Sequence, residues 1–165
     1  MSVRRSVLLA IPITLAVLTA CSSEGGASST GAAPTPPSAE QVTTVLVGKI
    51  PTVKLVKSYT AADDPNHQLG RPNGYTSKTA FSDSRIPADQ VEGFDDDATD
   101  RGGSVEVFPD EAGATARKTY IQTLGKSLPL AVEYDYVHGG VLVRVAHELT
   151  PDQAKDYETA TANLG

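Results

Sequence analysis

Two β-rich runs, Ala131 to Val137 and Val141 to Ala146, are joined across Gly139-Gly140, and this pairing constrains the fold more than any other feature of the chain. Glycine reaches positive φ without a Cβ clash, which a tight primed turn between right-twisted strands requires. The runs therefore predict a hairpin, and the sheet around it is antiparallel at least there. Helix signals flank it. Thr150-Pro151-Asp152-Gln153 offers a capping hydroxyl, a proline at the first helical position and an acidic residue near the positive end of the dipole. A final helix opens there, with Ala154, Tyr157, Thr161 and Leu164 on its buried side. Upstream, Pro109 and Asp110 introduce a helix to about Leu124, with Ala112, Ala116, Tyr120, Ile121 and Leu124 along one stripe. Ser38-Ala39-Glu40-Gln41 has the form of a capping box and starts a helix to about Gly48, which Pro51 stops. Val53 to Lys57, Tyr75 to Ser82 and Ser104 to Phe108 read as strands, the second with Tyr75, Ser77, Thr79 and Phe81 on one face. The order α-β-β-β-α-β-β-α predicts an α+β domain: a mainly antiparallel sheet of about five strands with helices packed on one face. The order of strands across the sheet is left open.

The first twenty residues follow different rules. Arg4 and Arg5 make a cationic start, Val7 to Val17 is apolar apart from Thr14, and Leu18-Thr19-Ala20-Cys21 follows directly. These are the successive regions of an export signal. The apolar stretch is shorter than the ~20 residues a spanning helix needs, and Pro12 would disturb such a helix. Leu18-Thr19-Ala20-Cys21 resembles the bacterial lipobox at all four positions, so residues 1–21 resemble the signal of a bacterial lipoprotein. That resemblance implies cleavage between Ala20 and Cys21 and a diacylglycerol on the Cys21 sulfur, with fatty acids such as palmitate holding the chain on the outer face of the cell membrane. Two acyl chains suffice for stable anchoring. Arg4-Arg5-Ser6-Val7-Leu8 is also loosely similar to a twin-arginine signal; general secretion is the favoured route.

Cys21 is the only cysteine, so no intramolecular disulfide can form and packing alone must stabilise the fold. Residues 22–37 are Ser, Gly, Ala, Thr and Pro with one Glu and no large apolar side chain. Such a segment cannot repay the entropy of ordering and reads as a flexible tether spanning about 20–24 Å. Domain organisation is thus a signal over 1–20, the lipidated Cys21 and linker over 21–37, and a single domain over 38–165. Without Arg4 and Arg5 the chain carries twelve basic against 20 acidic residues, a formal charge of −8. That acidity argues against a nucleic-acid partner, whose binding rests on clustered Lys and Arg.

Two long connections are the functional candidates by position. The first, Thr60 to Gly74, holds Asp63-Asp64-Pro65-Asn66-His67 and Gly70-Arg71-Pro72-Asn73-Gly74. Its plain reading is an ordered connector of turn formers. Its functional reading makes Arg71 an anion contact and His67 a neighbouring donor, with Asn73 in the same candidate binding loop. The second, Arg85 to Gly102, holds Asp95, Asp96, Asp97 and Asp100, which do not follow the alternating ligand spacing of a calcium loop and read as a solvated acidic loop. His67, His138 and His147 form no zinc-ligand spacing, so no metal and no cofactor is expected. His138 and His147 are expected at opposite ends or faces of the hairpin, and Tyr134 and Tyr136, sharing a face with Val132, in the core. No nucleophile elbow, catalytic cysteine or phosphate-binding glycine loop is present, so an enzyme is not expected.

Gly70 to Lys78, Gly103 to Pro109 and Tyr134-Asp135-Tyr136 resemble small actinobacterial lipoproteins of unassigned function, a resemblance over most of residues 50–160 that implies no activity. The expectation is a lipid-anchored extracytoplasmic binding module, its partner an envelope protein or ligand reached through the two loops. The alternatives are a small hydrolase or metal-dependent enzyme on the same scaffold, or a purely structural envelope protein.

Overall fold

The computed structural model describes residues 36–128 and 132–165. The signal segment, Ala20, Cys21 and the tether as far as residue 35 lie outside the described residues.

Eight main elements follow the expected order: α1 Ala39–Lys49, β1 Val53–Ser58, β2 Ser77–Asp83, β3 Gly102–Val107, α2 Glu111–Ser127, β4 Glu133–His138, β5 Val141–Ala146 and α3 Pro151–Ala162. Both capping boxes form. Gln41 N donates to Ser38 Oγ while Ser38 N donates to Gln41 Oε1, and Thr150 and Gln153 repeat the exchange at α3. Asp110 caps α2 by accepting from Gly113 N at 2.9 Å. Each cap contributes on the order of 1 kcal/mol. The hairpin closes with Gly139 at φ 50°, and a Cβ at Gly140 would collide with the Phe108 carbonyl.

The five strands form one sheet in the order β1-β2-β3-β5-β4, every neighbouring pair antiparallel. The α+β class with its five-stranded antiparallel sheet is therefore the architecture of the described residues. Because β3 and β4 both pair antiparallel to β5, they run parallel to each other, and α2 connects them across the strand that the hairpin inserts. His138 and His147 stand at opposite ends of that hairpin, as expected, since His138 pairs with Val141 while Glu133 pairs with Ala146 just before His147.

The helices do not share one face. α1 and α3 bury Ala39, Val42, Leu46, Tyr157 and Ala160 against Val105, Val107, Val141, Val143 and Val145. Phe81 stacks on Tyr157 at 5.5 Å and Thr79 Oγ1 meets Thr43 Oγ1 at 2.7 Å. Tyr134 and Tyr136 pack on this core, whereas Val132 precedes β4 and is half exposed. α2 instead buries Ala114 and Ile121 with Leu142, Phe108 and Tyr75, and Leu142 projects opposite to its neighbours Val141 and Val143. The expectation of helices on one face is corrected: α2 covers the second face. The reason is that β3 is buried at every residue, and a strand buried on both sides needs a layer on each. Tyr75 is not on the β2 face assigned to it, because β2 begins only at Ser77; it packs with Phe108 on the second face while Phe81 stays on the first.

Candidate functional site

The second face is charged. Lys78 on β2 and Glu106 on β3 are cross-strand partners, and Arg144 on β5 lies opposite Asp135 on β4. Glu106 is fully buried and accepts from Arg117 Nε of α2 at 2.9 Å and from Arg144 Nη1 at 3.1 Å. Arg144 also donates to both oxygens of Glu133, at 2.6 and 2.9 Å. Beside them Lys78 pairs with the buried Asp64 at 3.1 Å.

Asp64 organises the first long loop. Its carboxylate accepts from the amides of Asn66, Gln68 and Leu69, from the Tyr75 hydroxyl at 2.6 and 2.7 Å, and from Lys78. Burial by itself would raise its pKa, but these donors more than offset it and hold the carboxyl well below the usual range. Burial also lowers the pKa of Lys78, against the pull of Asp64. The hydrogen-bond network places the Asn66 amide oxygen toward Lys78 Nζ and Arg117 Nη2, each at 3.1 Å. His67 and Asn73 take left-handed backbone at φ 52° and 63°, and a Cβ at Gly74 would collide with the Gln68 carbonyl. Arg101 braces the second loop by donating to the carbonyls of Phe94 and Asp95. Lys57 ties the two loops together, with Nζ 2.9 Å from Asp97 and 3.6 Å from Asp63.

Between these loops, α2 and the charged face lies a cleft of about 400 Å³. The first loop supplies Asn66 and Gln68, the second Thr99 and Asp100, α2 Arg117, Tyr120, Ile121 and Leu124, and the hairpin Glu133, Arg144, Ala146 and His147. Both connections singled out by length thus meet at one site. Within them the lining residues differ from the expected ones. His67, Arg71 and Asn73 are all exposed and none lines this cleft; Asn73 borders a separate groove of about 550 Å³ beside Phe108 and Ala116. Asp95 and Asp96 are exposed, as a solvated acidic loop requires, while Asp97 pairs with Lys57 and Asp100 is half-buried in the cleft lining. The stripe expected to bury α2 is shifted: Ala112 and Ala116 are exposed, Tyr120 is 55% and Leu124 38% exposed. The inward side of α2 carries Arg117 to Glu106, which leaves Tyr120 and Leu124 as cleft wall.

The charges of the floor balance. Asp64, Glu106 and Glu133 face Lys78, Arg117 and Arg144, and Asp135 makes no ion pair among the described residues. Both its oxygens are buried without a hydrogen-bond partner among the described residues, and burial together with the Glu133 charge pushes its pKa up to about 8. The unfolded chain ionises this group near pH 4. The contribution of Asp135 is therefore fully present below about pH 4 and is lost as pH climbs toward 8, because only the unfolded state releases the proton in between. Asp135→Asn, which imitates the protonated form, is expected to flatten that slope and to stabilise the chain at pH 8 by on the order of 2 kcal/mol. Urea titrations of both proteins from pH 4 to 8 check this; parallel stability curves would contradict it.

Comparison with known proteins finds no matching family model, no matching curated protein and no matching solved structure.

Proposed function

We propose that the chain is a lipid-anchored, extracytoplasmic binding module of the bacterial envelope, fastened through Cys21 and holding a small polar ligand in the cleft between α2 and the two long loops. The anchor rests on the order of residues in the first 21 positions: paired arginines, an apolar run, then Leu18-Thr19-Ala20-Cys21. Among the described residues no helix is long and apolar enough to cross a membrane. The observation that carries the binding role is the convergence of both loops on one cleft lined by amide, hydroxyl and phenol groups, Asn66, Gln68, Thr99 and Tyr120. Its volume falls in the range of small-molecule sites, and a few convergent polar groups on an otherwise fixed wall suit recognition. The charged side chains of the floor are engaged with one another, which favours holding a ligand over turning one over.

The test is affinity capture with native lipidated protein solubilised from membranes, with mass spectrometry of both the protein and its companions. Wild type is expected to carry an acylated Cys21 and a reproducible companion that a Gln68→Ala/Tyr120→Ala form loses, while Cys21→Ser is expected in the medium or as uncleaved precursor. An unmodified Cys21 thiol removes the anchor. A companion indifferent to the cleft substitutions, or none at all, removes the binding role, and turnover of a broad substrate panel by the full chain would replace it with catalysis.

A further inference from the structure

At the rim of the cleft three ligand-type side chains meet from two separate parts of the chain. His147 and Glu148 are the first residues after β5, in the turn before α3, and Asp100 sits in the 3-10 turn Thr99–Arg101, which packs on β2, β3 and β5. One histidine ring nitrogen and two carboxylate oxygens lie within 4.8 Å of one another. Asp100 and His147 both line the cleft, and the His147 side chain is 40% exposed.

A second observation lies on Glu148 itself. Its side chain is only 10% exposed, and its Oε2 is buried with no hydrogen-bond partner among the described residues. His147 Nδ1 stands 3.4 Å from that oxygen without making a hydrogen bond to it. A buried carboxylate oxygen left in this way costs free energy unless something positive satisfies it. Zinc bonds to nitrogen and oxygen ligands at about 2.0–2.2 Å, so two ligand atoms on one tetrahedral centre stand about 3.4 Å apart. The Nδ1 to Oε2 separation already matches, and Asp100 is within reach of closing the third corner.

We infer that Asp100, His147 and Glu148 form a binding site for a divalent transition-metal ion of the zinc class, with its remaining coordination position facing the cleft. The imidazole selects zinc-like ions over calcium and magnesium, which prefer all-oxygen shells. The inference does not depend on the lipid anchor or on the identity of any cleft ligand. In sequence the three are invisible as a set, because Asp100 belongs to an acidic run and His147-Glu148 lies beyond the following hairpin.

The full chain, stripped with chelator and titrated with ZnCl2 by calorimetry, is expected to bind one equivalent, and CoCl2 to give a visible absorption band. His147→Ala, Asp100→Ala and Glu148→Gln are each expected to weaken binding about tenfold or more, with metal-free circular dichroism unchanged for His147→Ala, whose side chain is partly exposed. His67→Ala and His138→Ala are expected to bind as wild type does. The inference is overturned if the folded chain shows no saturable zinc binding, if binding survives His147→Ala, or if it is lost with His67→Ala or His138→Ala.

Discussion

Asp64→Asn is expected to destabilise the chain by about 3–5 kcal/mol, the cost of leaving a buried cation without its counter-charge. Lys78 is 5% exposed and Asp64 is its only ion-pair partner among the described residues. The rings of Tyr59 and Tyr75 lie 4.4 and 5.6 Å from its Nζ, but a ring face replaces little of a carboxylate. The same substitution weakens the acceptor for three loop amides and the Tyr75 hydroxyl. Thermal melts should show Tm falling by roughly 10–20 °C, and amide exchange should accelerate across residues 64–69. Because the Asp64 pKa is depressed in the folded chain, its contribution is present above about pH 4 and fades as pH falls below that. The gap between wild type and variant should shrink with acid in the same way. A loss under about 0.5 kcal/mol, the size expected of a surface change, would show that the pair does not hold this face.

A comparable loss, about 3–5 kcal/mol, is expected for Glu106→Gln. Glu106 is fully buried and is the carboxylate that Arg117 and Arg144 share. Arg144 retains Glu133, whereas Arg117 has no second carboxylate partner among the described residues. The damage should therefore be local to α2. Adding Arg117→Met to Glu106→Gln is expected to recover part of the loss, since removing both members of a buried pair is far cheaper than removing one. A double-mutant cycle in urea measures that coupling directly. If the double variant is as unstable as the sum of the two single ones, the pair makes no joint contribution, and the docking of α2 must rest on Ala114 and Ile121 alone.

The local signals in the chain were readable because the groups that satisfy them sit within a few residues of one another. Ser38 with Gln41, Thr150 with Gln153 and the glycines between β4 and β5 each close their own hydrogen bonds or turn, so their residue types alone locate two helix starts and a hairpin. Loop length likewise pointed to the two segments that meet at the cleft. The lining residues within them were not readable, because an irregular backbone has no period from which to deduce which side chain faces inward. Asn66 and Gln68 line the cleft while His67 between them is exposed, and the reactive types of His67 and Arg71 carry no information on which way their side chains face.

Sequence by itself determined the elements, their order and the antiparallel hairpin, all of which depend on contacts between near neighbours. It also determined the alternation of Val105, Glu106, Val107 and of Val143, Arg144, Val145, a pattern that ordinarily means one face in the core and one in water. Only the tertiary structure decided that the polar face is interior too. Whether a row of charges must face solvent depends on whether each can find an opposite charge, and those partners, Lys78 with Asp64 and Glu106 with Arg117 and Arg144, are brought together by strand pairing and by the docking of α2 rather than by proximity along the chain.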